Sequence, residues 1–154
     1  LGRTELVERM SRNPLHRALR IDKLAIASLS ATLGLLSQGR YRDIPVLRML
    51  VEDPSEVRAR AERLRDLLGL RDAEVVPTRA VVGGGSAPTK SFPSYGLVLR
   101  RPDATALLAR LRAVRPAVVA RIEDDRITFD LKAVDAGLVE VLAEKIREAL
   151  GDGL

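Results

Sequence analysis

Hydrophobic spacing changes period near residue 70, and that change decides what the chain can fold into. Val57, Ala61, Leu64 and Leu68 recur at i, i+4, i+7 and i+11, the spacing of one helix face. After Ala73 the period falls toward two, so residues 74–82 and 96–100 read as strands. Helical spacing returns at Leu107, Leu108 and Leu111. It gives way to alternation at Val118, Ala120 and Ile122, continued by Ile127, Phe129 and Leu131. The last stretch is helical again, through Leu138, Val141, Leu142, Ile146 and Leu150. The order helix, strand, strand, helix, strand, strand, helix predicts an α+β domain. Its sheet has four strands, mainly antiparallel, and is covered by helices on one face.

Local signals set the boundaries. Asp53-Pro54-Ser55-Glu56 is a helix start, with an acidic N-cap, proline at the first helical position, and a glutamate placed to reach back as in a capping box. Gly69 closes that helix. Residues 83–94, dense in glycine, proline and serine, read as a loop between the first two strands. Residues 103–114 form a helix ended by Pro116. Residues 117–123 and 126–131 pair as strands across a tight turn at Asp124 and Asp125, and Asp135 opens the final helix.

The first 52 residues follow a different plan. Residues 4–11 carry Leu6, Val7 and Met10 on one side of a helix that stops at Asn13-Pro14. A longer helix over 22–38 places Ile26, Leu29, Leu33 and Leu36 on one face, with Asp22 at its N-terminus and Gly39 at its end. Pro45 and the apolar run to Val51 make a further short turn or helix. The predicted division is a helical arm over 1–52 and a small α+β domain over 53–154. The arm's apolar helix needs a surface to lie on.

Charge divides the chain in the same way. Residues 1–48 hold nine Lys and Arg against four Asp and Glu, whereas residues 49–154 hold seventeen of each, so the whole net charge of +5 lies in the first third. That bias points to an anionic partner, either nucleic acid or a phosphate-bearing small molecule. The basic residues are twenty-two Arg and four Lys, which favours oxyanion binding over lysine chemistry. The absence of cysteine and a single histidine exclude disulfides, thiolate sites and paired-imidazole zinc sites, so no metal is expected. No run approaches about 18 consecutive apolar residues, and the opening lacks the apolar middle of a secretion signal. A cytoplasmic protein with no membrane partner is expected.

Four stretches carry a resemblance. They are NPLHRALRIDK (13–23), IPVLRML (44–50), VGGGSAP (82–88) followed by FPS (92–94), and RIEDDRITFDLKAV (121–134). Together they resemble, in order, bacterial selenocysteine synthase, the L-seryl-tRNA(Sec) selenium transferase family. The resemblance implies a fold type I pyridoxal-phosphate enzyme with a large cofactor domain, a small C-terminal domain, and homo-oligomeric subunits arranged as a ring of dimers. It implies conversion of seryl-tRNA(Sec) to selenocysteinyl-tRNA(Sec) with selenophosphate. On this reading the chain is the C-terminal portion, the linking helix plus the small domain, and it is inactive alone. The cofactor lysine lies in a segment outside it, because none of Lys23, Lys90, Lys132 or Lys145 has the matching context. No pyridoxal phosphate is expected to bind these residues alone. The start at Leu1 rather than methionine fits a fragment.

The resemblance carries one pair of site residues onto this chain. Arg17 and Arg20, three apart, share a face if helical and can converge on one tetrahedral oxyanion; the matching arginines of the family hold the phosphate of the selenium donor. His16 reads as a packing or interface residue. Asp22 and Lys23 cap and solvate a helix start. Gly83, Gly84, Gly85 and Ser86 lack the Lys-Ser/Thr of a phosphate loop and read as a packing loop. Asp124 and Asp125 are turn formers rather than a catalytic pair. Tyr41, Tyr95, Phe92 and Phe129 are too few for a base-stacking platform, so any tRNA contact is expected at phosphates. Two other functions compete: a related pyridoxal-phosphate enzyme acting on a small molecule without tRNA, and a stand-alone basic module for binding or oligomerisation.

Overall fold

The computed structural model describes residues 2–82, 90–123 and 125–151. The chain divides into two compact units, Leu1–Arg48 and Met49–Leu154. The first contains α1 (Thr4–Ser11), α2 (Leu15–Ala18) and α3 (Lys23–Ser37), and α4 (Pro45–Val51) straddles the division. The Asp22 carboxylate accepts the Ala25 N–H at 2.7 Å, fixing the start of α3 as its sequence predicts. None of α1, α2 or α3 buries a single residue.

The second unit follows the predicted order. α5 (Pro54–Leu68) leads into β1 (Ala73–Val81) and β2 (Ser91–Arg100); α6 (Ala104–Ala113), β3 (Arg121–Glu123), β4 (Arg126–Asp130) and α7 (Val139–Leu150) complete it. The sheet is antiparallel in the order β1-β2-β4-β3. Leu97 and Leu99 of β2 and Ile127 and Phe129 of β4 pack with Val57, Ala61 and Leu64 of α5, Leu107 and Leu111 of α6, and Val139, Ala143 and Ile146 of α7 in one core. Burying each large aliphatic side chain contributes about 1.5–3 kcal/mol, so this layer holds the domain together.

Three boundaries differ from the expectation, each for a physical reason. β2 begins at Ser91 rather than at Gly96, so Phe92, Pro93 and Ser94 are strand and not loop. Pro93 is tolerated because β4 first pairs with β2 at Gly96, leaving β2 only β1 as a neighbour at that point. β3 is limited to Arg121–Glu123, because the Val118 N–H is taken by the Leu111 carbonyl at 2.8 Å and 117–120 hangs from the end of α6. Leu131 leaves the strand for a short 3-10 turn over Leu131–Ala133. The glycine-rich residues 83–86 and Asp124 lie outside the described residues, while Asp125 has φ 56°, as a turn requires.

No described helix is long and apolar enough to cross a membrane.

Candidate functional site

Arg17 and Arg20 sit on the connection between α1 and α3. The Asn13 side chain accepts the Leu15 N–H at 2.9 Å, which starts α2, and the Leu19 N–H closes it on the Leu15 carbonyl at 3.0 Å. Helix α2 ends at Ala18, so only Arg17 is helical; Arg20 follows as a further turn, its N–H reaching the Arg17 carbonyl at 3.4 Å. The two therefore belong to successive tight turns and not to one continuous helix. Both are exposed, and neither guanidinium has an ion-pair partner among the described residues. His16 and Lys23 are exposed nearby, and Asp22 is committed to capping α3.

The second unit holds two polar clusters that pattern reading does not find. In the first, Arg60 of α5 grips Glu52 with both guanidinium nitrogens, at 2.5 and 2.6 Å, and donates to the Leu131 carbonyl at 3.1 Å. The pair is nearly out of water, and the Glu52 hydrogen bond holds the Arg60 guanidinium above its ordinary pKa. Lys132, only 4% exposed, donates from Nζ to the Glu52 carbonyl at 3.4 Å. Glu52 is thereby held through its carboxylate by Arg60, eight residues on, and through its carbonyl by Lys132, 80 residues away.

The second cluster lies on the sheet face opposite the helices and centres on Asp130. Its Oδ1 accepts the buried Ser94 hydroxyl at 2.6 Å and the Lys132 N–H at 3.0 Å; its Oδ2 lies 3.4 Å from the Thr78 hydroxyl and 3.5 Å from the Arg121 guanidinium. One carboxylate thus ties all four strands. Gly96 makes this possible: a Cβ there would stand 2.8 Å from the Phe129 carbonyl oxygen and 3.1 and 3.3 Å from the Thr78 and Thr128 methyls, so the two threonines close over it. Strand alternation sets Arg126, Thr128 and Asp130 on the face opposite Ile127 and Phe129, and alternation carries no sign that their side chains are joined. Among the described residues no group of three or more His, Cys, Asp or Glu stands ready to hold a metal.

Comparison with known proteins gives these residues a context. The family model described as SelA, L-seryl-tRNA selenium transferase, matches residues 1–135. The L-seryl-tRNA(Sec) selenium transferase of Aquifex aeolicus (strain VF5) is 38% identical over 156 residues, which cover 97% of this chain and 34% of that protein. The protein of the same description from Nitratidesulfovibrio vulgaris is 41% identical over 161 residues, covering 98% and 34%, and that from Hyphomonas neptunium is 37% identical over 154, covering 96% and 33%. The chain spans about a third of the length of the curated relatives it matches. With the match covering the first unit and most of the second, the chain belongs to the L-seryl-tRNA selenium transferase family.

Proposed function

We propose that this chain is the C-terminal portion of a selenium transferase that converts seryl-tRNA(Sec) to selenocysteinyl-tRNA(Sec), and that Arg17 and Arg20 bind the phosphate of selenophosphate in the assembled enzyme. The observation that carries the reading is the family match running through the Arg17–Arg20 turn and on into the small domain as far as residue 135. Two exposed guanidiniums without carboxylate partners among the described residues, on consecutive turns, suit a tetrahedral oxyanion, since each offers a planar fork of donors.

The residues present do not fit attachment of pyridoxal phosphate. Lys132 is buried with its ammonium on the Glu52 carbonyl, and Lys145 lies between Glu144 and Glu148, whose carboxylates hold its pKa up. Lys23 and Lys90 are open to water, without the enclosure that frees an amine for attack on an aldehyde. In this reading the cofactor, its lysine and the tRNA-engaging parts belong to the two thirds of the family's length that lie outside these residues. The chain contributes oxyanion binding and subunit contacts in a homo-oligomeric cytoplasmic protein.

The test is the selenophosphate dependence of a protein of full family length. Arg17→Ala and Arg20→Ala are expected to raise the KM for selenophosphate by about tenfold or more each, the worth of a charge-assisted hydrogen bond, and to leave seryl-tRNA binding unchanged. Unaltered selenophosphate dependence in both variants would remove the assignment.

A further inference from the structure

The geometry points to a second oxyanion site, on the sheet face away from α5, α6 and α7, built by Arg121 with the hydroxyl of Thr128 and recognising a phosphate group. It goes beyond the Arg17–Arg20 reading and uses none of its residues. Cross-strand register sets Arg121 of β3 directly opposite Thr128 of β4, which brings their Cβ atoms to about 4.5–5.5 Å on one face. A cavity of about 850 Å³ opens there, with Val76 and Val98 among its apolar lining and Arg121, Arg126, Thr78 and Thr128 among its polar lining.

Three features make this more than a surface arginine. Asp130 lies 3.5 Å from the Arg121 guanidinium and is itself fixed by Ser94 and the Lys132 N–H, so the cation is oriented before any ligand arrives. A single carboxylate at that distance leaves most of the guanidinium's five donors unused, and the side chain, which lines the cavity, remains about half exposed (47%). Thr128 is only 8% exposed as a residue, and its hydroxyl has no hydrogen-bond partner among the described residues. It therefore stands at the cavity wall with its donor uncommitted, available to a bound oxygen. Glu74 and Glu123 also border the cavity, so an anion is favoured only where the Arg121 fork and the Thr128 hydroxyl act together. Such a phosphate has two sources, a small phosphate ester or the backbone of an RNA strand.

Amide and guanidinium NMR spectra of the 154-residue chain, recorded during titration with inorganic phosphate and separately with a short single-stranded RNA, test the site. Saturable shifts at Arg121 and Thr128 are expected. Saturation with phosphate assigns the site to a small phosphate ester, and saturation with RNA alone assigns it to a phosphodiester backbone. Arg121→Gln is expected to weaken binding by about tenfold or more. Thr128→Val, which keeps the branched shape, should weaken it with the sheet spectrum preserved. Shifts at Arg17 and Arg20 in R121Q should match those of the unaltered chain, which separates this site from the first. Shifts at Arg121 that never saturate with either probe, or binding that is unweakened in both R121Q and T128V, would overturn the proposal.

Discussion

Gly96 shows how much can depend on one missing carbon. The three close approaches to its Cβ position come from a backbone carbonyl and two threonine methyls on neighbouring strands, so nothing flexible can move aside. Gly96→Ala must push β2 away from β1 or β4, and overpacking of this kind costs about 1–3 kcal/mol; a urea melt should show the midpoint falling with little change in slope. Arg60 governs a different kind of cost. Arg60→Ala strands the Glu52 carboxylate largely away from water, and breaking such a pair from one side destabilises by about 3 kcal/mol. The double variant Glu52→Gln with Arg60→Met should lose less than the two single losses added together, because no unpaired charge remains. Equal, additive losses in the melt would show that the pair does not act as a unit.

Helix α5 illustrates which elements a sequence specifies by itself. Asp53 accepts from the Ser55 N–H and hydroxyl at 2.8 and 2.6 Å, Pro54 occupies the first position, and Gly69 ends the helix at φ 65°. The bonds to Asp53 come from Ser55, the residue between the proline and the glutamate assigned to a capping box. Those signals are all within a few residues of where they act, which is why pattern reading places both ends correctly. The first half of β2 and the stretch 117–120 fail for the opposite reason: one is strand only because β1 pairs with it, and the other is not strand because α6 claims its N–H. Lys132 and Glu52 meet across 80 residues, a separation over which periodicity carries no information.

The same helix start has a pH signature. Hydrogen bonds from Ser55 hold the Asp53 carboxyl below its ordinary pKa. Arg110 does so for Asp103; for Glu140 its own N–H does so first and Arg63 second. A depressed folded pKa adds stability that is fully present above the unfolded value, near 4, and is lost as pH falls through the folded value. The Tm of the chain should therefore drop as pH is lowered below about 4, and Asp53→Asn should flatten that drop. A Tm independent of pH in this range would show that these contacts do not persist in solution.

The two units differ in how each satisfies its apolar surface, and that difference predicts the behaviour of the whole chain. Residues 49–154 enclose their large side chains in a layer between sheet and helices, while α1, α2 and α3 bury nothing. Leu24 is 80% exposed, and Ile26, Leu29 and Leu33 are each more than half exposed along a face spaced for packing. Helices of this length are marginal alone in water and take most of their stability from an apolar face being covered. In a protein of full family length the rest of the polypeptide is available to cover it; among molecules of these 154 residues a second copy offers the same kind of apolar face. Sedimentation velocity should therefore show association that grows with protein concentration. Leu29→Glu combined with Leu33→Glu is expected to return the chain to monomer, since each buried leucine contributes about 1.5–3 kcal/mol and a charge there must stay in water. Hydrogen exchange at β2 should be unchanged in that variant, because its protection comes from the second unit's own core. A monomer at every concentration would refute the expectation, and so would loss of β2 protection on altering α3.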